Sequence, residues 1–191
     1  MSGFEYVVAM WGIVTGLAVA DLIASANRLI RHPDGVTWDG RVIVAAGLVA
    51  LELLRLWFAQ WTLSDSSTAL TFPIFLAKFL GLALLAFLAS AALPNETTGR
   101  IDLPAFYERN RRYFWGLFVA WQSLYVALWL LYFSSSVDGQ KPAALFDWFR
   151  VLAPLGLFIA LATLRSRWLD WVGPLTLIVF YLWLYSNQAI S

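Results

Sequence analysis

The chain has 191 residues, of which 61% are hydrophobic and only 13% are charged, with a net charge of +1 and no cysteine. A soluble domain has about one-quarter charged residues, so this composition argues against a soluble globular protein. Because the net charge is close to zero, a broad basic surface for nucleic acid is not expected. The lack of cysteine excludes disulfides, thiolate nucleophiles and sulfur-ligated metals.

The apolar residues fall in blocks of about 20, the length that crosses a hydrocarbon core about 30 Å thick. We therefore predict an all-α integral membrane protein, a single membrane domain over residues 1–191 with short loops. The leading block lacks the basic start of a signal peptide and is expected to be a retained first span. Six transmembrane helices are predicted, over residues 4–26, 42–62, 70–93, 113–133, 145–164 and 171–185.

Away from its ends, span 1 contains one charged residue, Asp21, about five residues from its inner end. A charge inside a membrane is costly unless it is paired or hydrated. Arg28 lies two turns further along the same helix face, and arginines of the first and third loops are also close in the predicted topology. An ion pair with one of these arginines is the structural interpretation, and a place on an ion path is the functional one.

Spans 2 and 3 contain the most deeply placed charges. Glu52 and Arg55 are three residues apart and can pair on one helix face. The hairpin between the two spans is centred near Asp65, and Glu52 and Lys78 each lie 13 residues from that centre, so they reach the same depth. We predict that Glu52, Arg55 and Lys78 form a polar cluster near the middle of the bilayer. Gly81 would allow a neighbouring helix to approach closely beside it.

The third loop, over residues 94–112, is expected to contain a helix that leads into span 4. Asp102 suits the cap position, and Pro104 suits the first turn. Arg109, Arg111 and Arg112 follow at the depth of lipid headgroups. Anchoring by positive charge is the simpler interpretation, and contact with anionic lipid is the alternative.

Two further features lie within spans 4 and 5. Gln122 is near the predicted midplane and is expected to hydrogen-bond to the Glu52 cluster. Pro154 interrupts span 5 and predicts a local kink, with a freed backbone carbonyl as a possible polar group.

The arginines and lysines of the loops set the predicted orientation. Loops 1, 3 and 5 hold nine arginines, whereas the opposite side has only Lys141 and Arg150. By the positive-inside rule, loops 1, 3 and 5 face the cytoplasm of a bacterial-type inner or plasma membrane, and both termini face outward. The nine are Arg28, Arg31, Arg41, Arg100, Arg109, Arg111, Arg112, Arg165 and Arg167.

The sequence offers few of the parts that an enzyme needs, so we predict that the chain is not one. Glu52 followed by Arg55 is similar to the glutamate-arginine motif of intramembrane prenyl-protein proteases, but those proteins also need histidine ligands in their spans. The only histidine, His32, lies in the first cytoplasmic turn. Neither a metal nor a cofactor is expected.

The leading functional hypothesis is a small channel or transporter-like protein, acting as a homo-oligomer or within a larger membrane complex. Its ion or proton path would pass the polar residues inside the spans. One alternative is a non-transporting accessory or scaffold subunit in which these charges form a structural salt-bridge cluster. Another is a lipid-binding protein that uses Arg109, Arg111 and Arg112. The path residues of the leading hypothesis are Glu52, Arg55, Lys78, Asp21 and Gln122.

Overall fold

The structure is a computed structural model that describes residues 3–62, 72–95, 99–135 and 145–186. Within these ranges the chain forms six α-helices, one 3-10 turn at Pro33–Gly35 and two strands of two residues. The strands are β1, Val36–Thr37, and β2, Ile101–Asp102. The helices are α1 Gly3–Arg31, α2 Gly40–Thr62, α3 Phe72–Ala92, α4 Leu103–Ser135, α5 Leu145–Thr163 and α6 Arg167–Tyr185.

Four helical segments are long and apolar enough to cross a membrane, as judged by length and composition. The described part of α2 carries Arg41, Glu52 and Arg55, and α5 contributes the shorter apolar segment Trp148–Thr163, so neither belongs to this group. The all-helical prediction is confirmed, whereas the six-span topology remains a prediction. The four segments are Ala9–Arg31, Phe72–Ala92, Leu103–Leu131 and Arg167–Tyr185.

α4 is a single helix of 33 residues, so the predicted loop helix and span 4 are continuous. It begins as the sequence predicts: the Ala105 backbone N–H donates to Asp102 Oδ1 at 3.0 Å, and Pro104 lies in the first turn. No glycine or proline separates Pro104 from the apolar part of the helix until Gly116. The backbone therefore meets no strong helix breaker where the polar segment gives way to the apolar one.

The α1–α2, α3–α4 and α5–α6 connections meet at one end of the bundle. β1 and β2 pair in parallel, with Val36 opposite Ile101 and Thr37 opposite Asp102. Arg111 of α4 donates to the Leu164 carbonyl just after α5. We call this the basic end and define it by residues 32–39, 93–95, 99–102 and 164–166. Exposed arginines in and beside it are Arg31, Arg100, Arg109, Arg112, Arg165 and Arg167.

The interior is apolar and rich in aromatic rings. Phe118 of α4 stacks on Phe158 of α5 with ring centroids 4.6 Å apart. Gly81 of α3 lies against Trp121 of α4, where a Cβ atom at Gly81 would be 2.7 Å from the indole ring. The predicted close approach of a helix at Gly81 is therefore confirmed.

The outer surface is also apolar. Ile13 and Leu17 of α1 are each 65% exposed, and Val179 and Trp183 of α6 are 64% and 57% exposed. Large exposed apolar surfaces are uncommon on soluble monomers and are typical of contact with lipid or with another protein. This surface agrees with the presence of four helices able to cross a membrane.

Candidate functional site

Glu52 and Arg55 form an ion pair within α2, as their spacing predicts. The Glu52 carboxylate is fully buried, and its Oε2 accepts a hydrogen bond from Arg55 Nε at 2.8 Å. The same oxygen lies 2.7 Å from Arg55 Nη2. The buried carboxylate and the nearly buried guanidinium therefore neutralise each other inside the bundle.

Aromatic side chains from two other helices surround the Arg55 guanidinium. It lies 5.3 Å from the ring centroid of Tyr125 in α4 and 5.2 Å from that of Tyr181 in α6. Nη1 also donates to the Tyr185 hydroxyl at 3.4 Å. These cation–π contacts and the hydrogen bond attach α4 and α6 to α2. Glu52, Arg55, Tyr125, Tyr181 and Tyr185 are called the central cluster below.

Among the described residues, three buried oxygens in or near the central cluster make no hydrogen bond of good geometry: Glu52 Oε1, the Tyr181 hydroxyl and Gln122 Oε1. The Tyr181 hydroxyl nevertheless interacts with the Glu52 carboxylate. Gln122 instead uses its amide nitrogen to donate to the Val151 carbonyl of α5 at 3.1 Å. The expected hydrogen bond from Gln122 to the Glu52 pair is not formed. Gln122 joins α4 to α5, although it lies one turn from Tyr125 on the same helix.

Among the described residues, no ion pair joins Lys78 to Glu52, whose carboxylate pairs with Arg55. Its ammonium group is 5.0 Å from the ring centroid of Trp11 in α1. The predicted grouping of Lys78 with Glu52 and Arg55 therefore needs correction. Equal distance from the hairpin centre predicts equal depth, but the rotation of α3 about its axis decides which neighbour the side chain meets, and here that neighbour is α1.

Asp21 and Arg28 do not pair with each other. Arg28 Nη2 donates to Ser25 Oγ at 2.7 Å and to Asn95 Oδ1 at 3.4 Å, which ties the end of α1 to the chain after α3. Among the described residues, Asp21 makes no ion pair and is half-buried. The predicted use of Arg28 as the Asp21 partner is corrected, because nearer polar partners occupy the guanidinium.

A second set of charges lies at the basic end, where four elements meet. Arg41 Nη2 is 2.7 Å from Asp39 Oδ2, and Arg41 Nη1 is 2.9 Å from Glu108 Oε1. Arg111 Nε donates to Asp170 Oδ1 at 3.0 Å, and the other Asp170 oxygen is 3.9 Å from Arg41 Nη1. These five residues, called the basal cluster, join the start of α2 to α4 and α6.

Packing around the basal cluster excludes solvent from most of it. The Arg41 guanidinium lies 5.0 Å from the ring centroid of Tyr107, whose hydroxyl accepts a hydrogen bond from Trp115 Nε1 at 3.1 Å. A Cβ atom at Gly40 would collide with the Trp171 ring of α6. The start of α2 can therefore approach α6 closely because residue 40 has no side chain.

Electrostatics favour the charged forms of Asp39 and Arg41. Burial by itself would raise the pKa of Asp39, but hydrogen bonds from the Arg41 side chain and backbone outweigh it and lower that pKa. The hydrogen bond with Asp39 raises the pKa of Arg41 above its ordinary value, against the effect of burial. The pair is consequently held in its ionised state at neutral pH.

The three arginines predicted to contact anionic lipid have different surroundings. Arg109 and Arg112 are exposed, whereas Arg111 is only 3% exposed and is engaged with Asp170 and Leu164. Arg111 therefore faces the interior of the bundle. The prediction of lipid contact rests only on the positive residues of the loops. The signal for the basal cluster was the presence of acids in the same chain segments, namely Asp39, Glu108 and Asp170.

The two clusters lie along one interface between α2 and α6. Arg41 approaches Asp170, which is 129 positions further along the chain, and Arg55 approaches Tyr185, which is 130 positions further. This nearly constant separation means that α2 and α6 run parallel in one register. Arg41 and Glu52 are eleven residues apart, which corresponds to about 16 Å of helix rise between the clusters.

Neither of the two cavities described below connects the clusters into a channel. One has a volume of about 10 Å³ and is lined by Val42, Ala45 and Arg111 among others. That volume has room for about one water molecule. A larger cavity of about 270 Å³ opens at the basic end beside Arg31 and His32.

Comparison with family models, curated proteins and solved structures gives no match to the chain. Its class rests on the fold: an all-helical protein in which four described helices are long and apolar enough to cross a membrane. A function for this protein must therefore be argued from its own side chains.

Proposed function

We propose that the chain is a six-span membrane protein that acts as a non-transporting, non-enzymatic accessory or scaffold subunit. In this proposal the basic end faces the cytoplasm, and both polar clusters clamp α6 onto α2. One observation carries the proposal: the charged groups of each cluster are paired within that cluster, and an apolar layer separates the two clusters.

The apolar layer consists of side chains from both helices at the positions between the clusters. Leu48 and Val49 of α2 are fully buried, and Leu177 of α6 is 2% exposed. A path for ions or protons needs polar groups or water along its length. About 16 Å of closely packed apolar side chains between Arg41 and Glu52 therefore favours a closed interface.

Pairing within each cluster supports a structural role. A buried charge whose partner is removed is strongly destabilising, so an ion pair on facing helices disfavours any other register of those helices. The basal cluster links α2 to α6 through Arg41 and Asp170, and the central cluster does so through Arg55 and Tyr185. Two such connections on one interface fix the position of α6 along the axis of α2 and the rotation of α6 about its own axis.

The outer surface supports the subunit part of the proposal. In each of the four candidate spanning segments only 28% of the most apolar window is buried within the chain. The remaining surface is available to lipid and to neighbouring proteins, including further copies of this chain. We therefore include a homo-oligomer or a larger membrane complex in the proposal.

An ion or proton path through the central cluster is the second candidate. It is favoured by the buried oxygens of Glu52, Tyr181 and Gln122 that make no hydrogen bond of good geometry, because such groups are unusual and often mark sites for water, ions or protons. In this candidate Glu52 is the exchangeable group. Opening of the α2–α6 interface would then be required to hydrate it.

Flux measurements in proteoliposomes separate the two candidates. The purified full chain and Glu52→Gln are reconstituted, and proton, sodium, potassium and chloride fluxes are followed under imposed gradients. We expect parent vesicles to match empty ones, and Glu52→Gln to lower the unfolding midpoint without creating a flux. Flux in the parent that Glu52→Gln abolishes, with the helical content retained, would establish the path and overturn the scaffold proposal.

A further inference from the structure

The cavity of about 270 Å³ at the basic end is not used by either cluster. Its polar lining comes from Arg31, His32 and Asp34, and its remaining walls include Val36 and Ile101. Its volume is slightly below the roughly 300–1,000 Å³ of pockets for drug-sized molecules. A small polar group with a few charged atoms therefore fits it better than a large apolar ligand does.

Two independent contacts fix the walls of this cavity. Val36 and Ile101 are opposite each other in the β1–β2 pair, which joins the α1–α2 and α3–α4 connections. One turn before Arg31, the Arg28 guanidinium bonds to Ser25 and to Asn95. Since α1 is held to the neighbouring connection on both sides of Arg31, the backbone that frames the cavity is held in place without a ligand.

The cavity carries both signs of charge. Arg31 supplies hydrogen-bond donors for a phosphate oxygen, and His32 adds a donor or acceptor. The carboxylate of Asp34 and the negative end of the α1 dipole favour a cation beside them. A ligand with a phosphate and an ammonium group satisfies all of these groups, whereas a purely anionic ligand would face Asp34.

The position of the cavity indicates the source of such a ligand. It lies directly after Arg31, which ends the candidate spanning segment Ala9–Arg31. Lipid headgroups lie at the ends of spanning helices, where the hydrocarbon core gives way to water. We propose that this cavity binds the headgroup of a phospholipid that carries both a phosphodiester and a primary ammonium, as phosphatidylethanolamine does.

This inference depends on the membrane placement in the proposed function but not on whether the central cluster transports ions. Arg31 and His32 hold the phosphodiester, and Asp34 accepts hydrogen bonds from the ammonium. Phosphatidylcholine has the same phosphate but no N–H donors, so it should bind more weakly. Phosphatidylglycerol has no ammonium and leaves Asp34 without a partner.

Native mass spectrometry of the full chain, released from nanodiscs containing equal amounts of the three lipids, tests the site. We expect about fivefold greater retention of phosphatidylethanolamine than of phosphatidylcholine. Asp34→Asn should remove this preference, Asp34→Glu should retain it, and Arg31→Gln should reduce retention of all three lipids. Arg112→Gln, an exposed change outside the cavity lining, is the matched control and should leave the preference unchanged.

Other outcomes would overturn the proposal. Equal retention of the three lipids, stronger retention of phosphatidylglycerol, or an unchanged preference in Asp34→Asn would each do so. Soluble glycerophosphoethanolamine is added as a competitor. If it displaces the lipid at equal concentration, the ligand is a soluble phosphate ester and not a membrane lipid. The unfolding midpoints of the variants in phosphatidylcholine alone verify that each one folds.

Discussion

Arg111 of α4 and Asp170 of α6 form an ion pair with 3.0 Å between Nε and Oδ1, and each residue is only 3% exposed. Both come from polar segments next to apolar blocks, where charged side chains are usually hydrated. Their burial shows that the basic end contributes to helix packing as well as carrying exposed positive charge. Arg111 also donates to the Leu164 carbonyl, so one side chain connects α4 to both sides of the α5–α6 turn.

Asp170→Asn is expected to destabilise the protein by about 3–5 kcal/mol, because it leaves the Arg111 charge buried without its partner. The free energy of unfolding in mixed micelles measures this effect. Arg111→Met combined with Asp170→Asn should be less destabilising than the sum of the two single changes, since neither charge then remains.

Arg112→Met is the matched control for this pair, because Arg112 is the exposed neighbour of Arg111. It should change the free energy of unfolding by no more than about 0.5 kcal/mol. If the effects of Asp170→Asn and Arg111→Met on the free energy of unfolding simply add, the ion pair does not stabilise the contact between α4 and α6.

Arg55→Met is expected to cost about 3–5 kcal/mol, because the fully buried Glu52 carboxylate would lose its hydrogen bond and its ion-pair partner. The double change Glu52→Leu with Arg55→Leu should recover most of that loss, as buried ion pairs are often replaceable by apolar side chains. Thermal unfolding followed by circular dichroism gives the comparison. If the double variant is less stable than Arg55→Met, the Glu52–Arg55 ion pair stabilises the fold by more than the desolvation of its two charges costs.

Gly81→Ala is expected to destabilise the α3–α4 contact by about 1–3 kcal/mol. Its new methyl group would lie 2.7 Å from the Trp121 ring, which is tightly held in the interior. Gly116→Ala in α4 provides the control, because nothing lies within 4 Å of its added methyl group. That change should be neutral or stabilise by up to about 1 kcal/mol through helix propensity. Equal effects of the two changes would contradict the close approach at Gly81.

The Asp39–Arg41 pair predicts a specific dependence of stability on pH. Because the pKa of Asp39 in the folded chain is below its ordinary value of 3.8, its stabilising effect is fully present above that value. The effect is lost as the pH falls below it, since the unfolded chain takes up the proton first. Between pH 7 and about pH 5, this group should leave the stability unchanged.

Unfolding midpoints of the parent and Asp39→Asn, measured across this pH range, isolate the contribution. The difference in unfolding midpoint between the parent and Asp39→Asn should be constant near neutral pH and should become smaller below about pH 4. A difference that grows as the pH falls would contradict the direction of the Asp39 pKa shift.

Features that depend on neighbouring residues could be predicted from the sequence. The helices lie at the expected positions, Asp102 caps α4, and Glu52 pairs with Arg55 three residues away. All of these follow from periodicity or from helix geometry. They need no knowledge of how the helices are arranged in three dimensions.

Contacts between distant helices could not be predicted in the same way. Lys78 lies in the expected helix, α3, but its side chain contacts Trp11 of α1, because helix rise predicts depth and not rotation. The contact between Arg41 and Asp170 joins positions 129 apart, and it depends on α6 packing parallel to α2. Counting only the positive residues of the loops also left out the acid that pairs with the buried Arg111, which is Asp170.

The claim that α2 and α6 enclose a closed apolar layer is tested most directly by water access to Leu48. The natural chain has no cysteine, so Leu48→Cys provides a single thiol in an otherwise unchanged background. The rate of its modification by a charged, water-soluble thiol reagent is measured in proteoliposomes, with the exposed Ser166→Cys as the reactive control. We predict that the thiol at position 48 stays unmodified while that at 166 reacts, and that both react after denaturation. Modification at position 48 at a rate comparable to that at 166 would contradict the closed layer and favour a hydrated path through the protein.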